Sequence, residues 1–346
     1  MDVGFARAGI KTVWANDIVA DACATYEANH GSVVHHGSIR DLLSELHRFE
    51  GVDVLFGGPP CQGFSVAGKM DLDDLRSQLV FTYMEAVKIV RPSAFVLENV
   101  RALGELEKFR EVRERMIQAA SKLGYACTLV VLTASDYGVP QARERMFLVG
   151  LRGGANPRDF ERHLRAQKRR APTLRDIVIP LGRAGSPRNM RVCRAKVTIA
   201  ARPVLRKSPY AGMLFNGQGR PLNPFGYAST LPATMGGNRT PIIDEEHMFD
   251  GAKSWVEEYH AHLMGGGIPS ESDPPARLRR LTVDETLLLQ TFPVGYEFVG
   301  KQSSVFTQIG NAVPCDLAFA VAEAVRRTLE GAECPEQELP QLQLAV

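Results

Sequence analysis

Asp53-Val54-Leu55-Phe56-Gly57-Gly58-Pro59-Pro60-Cys61-Gln62-Gly63-Phe64-Ser65 is the stretch from which the rest of the chain can be ordered. Val52–Phe56 is a short apolar run of strand length. It enters Gly57-Gly58-Pro59-Pro60, where two glycines permit close approach of another group and two prolines stiffen the backbone. A cysteine follows at once. An apolar strand followed by a tight turn is the start of a strand–helix unit, and in open α/β sheets ligands gather at the carboxyl ends of the strands. Cys61 therefore stands where a nucleophile belongs, although most isolated cysteines are only small buried hydrophobes.

Working outward, strands and helices alternate. Thr12–Ala15 reads as a strand and Asp21–Asn29 as a helix; Leu79–Val90 has helical spacing and stops before Pro92; Ala94–Leu97 is a second buried strand. Phe109–Leu123 is a charged amphipathic helix ending at Gly124, followed by strands over Ala126–Leu132 and Arg145–Leu151. This order predicts an α/β fold with a doubly wound, mostly parallel sheet. From about Gly153 the texture changes to Pro, Gly, Arg and Asn, and the helical period is lost until Thr282. Thr282–Gln290 and Asp316–Glu330 are helical again, and the Glu-, Gln- and Pro-rich tail predicts disorder. The expected division is residues 1–152 as a catalytic and cofactor-binding domain and 153–278 as a smaller irregular domain. Residues 279–330 return to the first domain, and 331–346 form a tail.

The composition is that of an ordinary globular chain: 346 residues, 45% hydrophobic, 23% charged. No apolar run suggests a membrane span and no signal peptide opens the sequence, so a cytoplasmic location is expected. The cysteines are scattered without a Cys-x-x-Cys pair, which argues against a zinc site or a disulfide framework and predicts no metal. The net charge of +2 hides an asymmetry. Between Arg152 and Arg239 there are 18 Lys and Arg against three acids, and the remainder has 23 basic and 36 acidic residues. A basic block on an acidic body suggests a phosphate-binding surface, though a solvated linker would look the same.

Two further motifs extend the first. Phe95-Val96-Leu97-Glu98-Asn99-Val100 is another apolar strand ending in an acid, which topology should bring near Cys61. Tyr137-Gly138-Val139-Pro140-Gln141-Ala142-Arg143-Glu144-Arg145 carries two arginines at alternating positions, pointing the same way if they open a strand. Either could be mundane, the acid as a helix cap and the arginines as surface ion-pair residues.

In this order the three motifs resemble the cytosine-C5 DNA methyltransferases, whose signatures are Pro-Cys, Glu-Asn-Val and Gln-x-Arg-x-Arg. Gln308-Ile309-Gly310-Asn311-Ala312-Val313-Pro314 is similar to the family's closing motif, and Arg280-Leu281-Thr282 through Leu289-Gln290-Thr291-Phe292-Pro293 to the segment before it. The likeness runs from Met1 to about Arg327. It implies a Rossmann-like fold that binds S-adenosylmethionine, with the basic middle as a target recognition domain. Ser229-Thr230-Leu231-Pro232 there is similar to the family's Thr-Leu element, placing Thr230 and Leu231 at the DNA. By resemblance Cys61 is the nucleophile, Glu98 holds the ring at N3 and the exocyclic amine, and Arg145 contacts O2. Arg143 would support the catalytic loop and a phosphate. Gln62–Gln78 reads as a mobile loop, and in this family Gln62, Gly63 and Ser65 would close with it over a flipped base. Asp17 would take the ribose hydroxyls, Ile18 the adenine; Ser38, Ile39, Pro60, Leu79, Asn311 and Val313 complete the expected pocket.

Where the family usually has an acid, this chain has Ser38. The family's opening strand and Phe-x-Gly-x-Gly loop have no counterpart, since Met1–Ile10 matches only the helix that follows them. A start assigned too late or a true truncation would both explain this, and both would leave Val52–Phe56 and Thr12–Ala15 short of a strand partner. The implied partners are double-stranded DNA and a cognate restriction endonuclease acting on the same sequence, with the protein a monomer and no membrane involved. The alternatives are a transfer-RNA methyltransferase and a catalytically inactive DNA-binding homologue.

Overall fold

The computed structural model describes residues 1–60 and 78–333; Cys61, Gln62, Gly63, Ser65 and the tail from Cys334 lie outside the described residues. Strands β1 to β12 span Ala15–Asp17, Val34–His36, Val54–Gly57, Ala94–Val100, Ala126–Thr133, Gln141–Ala142, Glu144–Leu151, Ile199–Val204, Met213–Phe215, Ala228–Ser229, Ile242–Asp244 and Leu278–Arg280. Helices α1 to α13 span Asp2–Arg7, Ala20–His30, Ile39–Leu42, Leu79–Val90, Arg101–Glu105, Arg110–Lys122, Pro157–Ala166, Leu174–Val178, Glu245–Asp250, Trp255–Met264, Val283–Leu289, Gln302–Asn311 and Cys315–Leu329.

The central sheet has strand order β3-β4-β7-β5. β3 and β4 are parallel, whereas β7 lies antiparallel between β4 and β5. The described sheet is thus mixed rather than mostly parallel. The reason is the connection: a short excursion through residues 134–143 joins β5 to β7, too short for the crossover that a parallel pair requires. β1 and β2 form a separate parallel pair. Among the described residues β3 hydrogen-bonds only to β4 and β1 only to β2, so each keeps one open edge, as expected. The first strand begins at Ala15 rather than Thr12, which makes Asp17 its last residue.

Helices cover both faces of the sheet, and the pleat shows how. Along β4 and β7, Ala94, Val96, Phe147, Val149 and Leu151 turn to one face, where they pack with Phe5 of α1, Phe160 of α7 and Leu317 and Val321 of α13. The alternating Phe95, Leu97, Met146 and Leu148 turn to the other and meet Val80 and Met84 of α4 and Val112 and Met116 of α6. The Gln302–Leu329 stretch has the length and hydropathy of a membrane-crossing helix, but 67% of its most apolar window is buried in the protein, and it divides at Ala312-Val313-Pro314 into α12 and α13.

The middle of the chain is more helical than its texture predicts. α7 opens with an Asn156 cap and Pro157, and α10 with a Ser254 cap. A second apolar cluster joins Leu174, Leu222, Leu231 and Ile243 to Leu281, Leu287, Phe306 and Ile309. The packing therefore keeps α11 and α12 with the middle of the chain, and α13 is the element that returns to the sheet. A smaller cluster unites β8 and β9 with α10 through Ile199, Leu214, Phe215, Val256 and Leu263.

Candidate active site

The carboxyl ends of β3 and β4 lie side by side because the two strands are parallel and in register, with Gly57 opposite Leu97. Glu98 and Asn99 follow in β4, and Gly58, Pro59 and Pro60 leave β3. Asn99 is buried and donates from Nδ2 to the Pro59 carbonyl at 3.0 Å, tying the Pro-Pro turn down over β4. Gly58 presses on the acid: a Cβ there would sit 2.8 Å from Glu98 Oε2, so this position excludes any larger residue without movement. From α4, the partly buried Tyr83 hydroxyl lies 3.0 Å from the carbonyls of both Leu55 and Val96 and locks the two strands together.

Arg145 opens β7. Glu98 faces Phe147 in the antiparallel register, so Arg145, two residues earlier, is its diagonal neighbour on the same side of the pleat. Arg145 Nε lies 2.9 Å from Glu98 Oε1, with the two side chains only 14% and 13% exposed. Burial raises the Glu98 carboxyl above its ordinary pKa, and Arg145 and Arg143 pull it partly back. A carboxyl so placed can keep a proton that an exposed glutamate would lose, which suits a group that must share a proton with a substrate.

The two arginines have different surroundings. Arg143 is fully buried and donates from Nη1 to the Leu231 carbonyl (3.1 Å) and from Nη2 to the Gly310 carbonyl (3.0 Å). It is a strut between the Thr-Leu element and the closing motif, and its burial leaves it closed to the phosphate expected for it. Leu231 is 1% exposed and accepts Arg143 with its carbonyl while donating its N–H to Gln141 Oε1 at 3.0 Å. It faces the core, whereas its neighbour Thr230 is exposed.

Gln141 and Gln290 extend this junction. Gln141 Nε2 donates to the Leu289 carbonyl and to Gln290 Oε1, at 3.3 and 3.2 Å. Gln290 Nε2 donates to the Ile309 carbonyl at 2.6 Å and the Ala312 carbonyl at 3.2 Å. Gly310 completes the fit, because a Cβ there would meet the Pro232 carbonyl at 2.5 Å. Four separated motifs thus share one buried polar junction. Its members were quoted in the motifs, but only glutamines in otherwise apolar surroundings signalled their role.

The expected cofactor residues divide into two groups. Asp17, Ile18, Ser38 and Ile39 share the carboxyl edge of β1 and β2. Asp17 Oδ1 accepts the Val19 N–H at 2.8 Å, leaving its other oxygen open, and Ile18 is 69% exposed. Ser38 caps α3, its Oγ accepting from Arg40 N at 3.3 Å, and its hydroxyl hydrogen is still available to a ligand. Arg40 in turn reaches Gln78 Oε1 at 3.3 Å, next to Leu79. Pro60 is exposed. Asn311 is exposed at the end of α12, whereas Val313 is buried in the cluster that contains Phe5 and Phe56. An exposed apolar residue beside an acid with a free oxygen fits an adenosine, with its flat base and ribose hydroxyls.

Comparison with known proteins agrees with this geometry. Residues 1–327 match the family model described as C-5 cytosine-specific DNA methylase. The Type II methyltransferase M.MthTI of Methanothermobacter thermautotrophicus is 31% identical over 341 residues, covering 96% of this chain and 95% of its own. The Type II methyltransferase M.NgoPII of Neisseria gonorrhoeae is 29% identical, covering 95% and 93%. Among solved structures, the Dnmt2 methyltransferase of S. pombe superposes with a TM-score of 0.62 at 18% identity, over 95% of this chain and 94% of that one. These matches cover the strand tip, the buried junction and the middle of the chain together, and the protein belongs to the C-5 cytosine-specific DNA methylase family.

Proposed function

We propose that Cys61, Glu98 and Arg145 carry out the methylation of cytosine carbon 5 that characterises the family, on a base swung out of duplex DNA. The observation that carries this reading is the grip of β4 on the turn before Cys61: Asn99 holds Pro59, and Gly58 lies against the Glu98 carboxyl. The residues leading to Cys61 are thereby anchored beside the partly buried Glu98–Arg145 pair on the carboxyl edge of the sheet.

Carbon 5 of cytosine is a weak nucleophile, and covalent catalysis overcomes this. The Cys61 thiolate forms a bond to carbon 6, and the electron pair of the 5,6 double bond moves into the ring. Glu98 shares a proton with N3 and so neutralises the developing charge, while Arg145 orients the acid and meets O2. S-adenosylmethionine, when bound, supplies an electrophilic methyl group on a cationic sulfur. Asp17 and Ile18 would hold its adenosine, with Ser38, Ile39, Leu79 and Pro60 around it and Asn311 and Val313 closing the pocket from the α12–α13 junction. Once carbon 5 has taken the methyl group with the electron pair of the former double bond, leaving the donor as a neutral thioether, its proton would pass to a base and the C–H bonding pair would re-form the 5,6 double bond as the Cys61 thiolate leaves carbon 6. A base inside a duplex cannot reach these groups, so the target must flip out, at a cost of a few kcal/mol; Gln62, Gly63 and Ser65 would close over it.

Under the same proposal residues 153–278 form the target recognition domain on a doubly wound catalytic domain. The protein acts as a cytoplasmic monomer, and a restriction endonuclease of the same specificity is its partner. Cys61→Ala tests the assignment: it should abolish methyl transfer while leaving DNA affinity within about twofold, and 5-fluorocytosine duplexes should trap a covalent adduct on the native protein only. Residual transfer by Cys61→Ala would refute it.

A further inference from the structure

The basic block has a property beyond its charge. Residues 177–243 contain no Asp or Glu and ten Lys or Arg. Arg183 and Arg191 find acids outside this stretch, Asp250 and Asp284. The other eight form no salt bridge among the described residues, in contrast to Arg145, Arg169, Arg277, Arg279 and Arg326 elsewhere. Five of the eight, Arg194, Lys196, Arg202, Arg206 and Lys207, fall on the segment 194–207 that contains β8, and all five are exposed.

The backbone of this segment is held firmly. Arg280, 1% exposed, donates from Nη2 to the Lys196 carbonyl at 2.9 Å. His260 on α10, 7% exposed, lies with Nε2 2.7 Å from the Arg206 carbonyl. β9 pairs along one edge, and Gly212 comes so close that a Cβ would lie 2.5 Å from the Val204 carbonyl. Val197, Ile199 and Leu205 pack against the β8–β9–α10 core. Val197, Ile199 and Leu205 thus point inward, two carbonyls are held from beneath, and the five cations stand outward with no acid partner among the described residues.

We propose that residues 194–207 form a preorganised track for the phosphodiester backbone of duplex DNA that supplies affinity and register but no sequence information. The inference rests on the DNA reading above and adds a division of labour within the recognition domain. Unpaired cations on a rigid backbone lose no competing carboxylate and little backbone entropy when they meet phosphates. The segment contains no Asn, Gln, Asp or Glu, the side chains that read adenine and cytosine edges, so guanine is the base its cations could read and an unchanged target sequence is what excludes that. Thr230, exposed on a separate loop, donates its hydroxyl to the Ala142 carbonyl at 3.4 Å and keeps its oxygen lone pairs for base contact.

The test is the triple variant Arg202→Ala, Arg206→Ala, Lys207→Ala in the full chain, with the corresponding Arg→Lys pair as rescue. Duplex affinity is measured across a salt series, with turnover at saturating DNA and the methylated sequence read by bisulfite conversion. Each lost phosphate contact should lower the slope of log affinity on log salt by roughly 0.9, so a total decrease of about two to three is expected. Turnover at saturating DNA should stay within about twofold of wild type, the methylated sequence should not change, and the Lys variant should keep the slope. An unchanged slope, or a changed target sequence, overturns the track while wild-type methylation of duplex DNA stands. A wild-type chain that methylates no duplex overturns the DNA reading itself.

Discussion

Gly58→Ala isolates the contact that defines the site. Its Cβ would lie 2.8 Å from Glu98 Oε2, and ordinary carbon–oxygen contact requires about 0.6 Å more. The carboxyl cannot simply retreat, because its other oxygen is held 2.9 Å from Arg145 Nε, and the turn cannot simply lift, because Asn99 holds Pro59 at 3.0 Å. Some combination of these must give. A shift of about 1 Å in a catalytic group can cost about 100-fold in rate, so a displacement of about 0.6 Å should cost about 10- to 50-fold, or roughly 1.4–2.3 kcal/mol of barrier. Overpacking should cost about 1 kcal/mol of stability, little enough for the variant to fold. The assay is single-turnover transfer of radiolabelled methyl groups into a saturating duplex, with DNA affinity and thermal melting measured alongside. The rate should fall while DNA affinity holds. If Gly58→Ala folds and transfers methyl groups within about twofold of the native rate, the turn does not position Glu98 and the reasoning fails.

The raised pKa of Glu98 sets the direction of a pH effect. Its proton is retained to higher pH than in an exposed glutamate and lost as pH rises through the shifted value, so methyl transfer should show an alkaline limb. Glu98→Gln cannot titrate; it should lower turnover by about 100-fold or more and remove that limb, and an unchanged limb would assign the ionisation to another group. Gln290→Leu should destabilise the protein by about 2–4 kcal/mol, because it strips donors from the Ile309 and Ala312 carbonyls and leaves the Gln141 amide short of an acceptor. A denaturant midpoint indistinguishable from wild type would show that the junction is not the strut described.

Much was legible in the sequence because it is written locally. Short apolar strands and helically spaced apolar residues are visible without neighbours, which is why β4, α4, β5 and α13 fall close to their expected positions. Glu98 was expected near Cys61 from its place at a strand end, whereas its pairing with Arg145 is set by the antiparallel register of β4 and β7. The middle helices were missed because their apolar faces are narrow: α7 buries Phe160, His163 and Leu164, and α10 buries Val256, Tyr259, His260 and Leu263. Their caps at Asn156 and Ser254 were the available signal.

By itself the sequence determined the family, since the Pro-Cys, Glu-Asn-Val and Gln-x-Arg-x-Arg motifs are short-range patterns that stand in the family's order along the stretch its model matches. Only the tertiary structure decided which polar groups are sealed in and which face solvent. Two arginines two residues apart look alike in one dimension, yet Arg143 is enclosed by carbonyls from Leu231 and Gly310 while Arg145 meets Glu98. Those partners lie 88 and 167 positions from Arg143. A buried guanidinium is stable only where donors find acceptors, and the acceptors come from chain segments whose meeting no local pattern records.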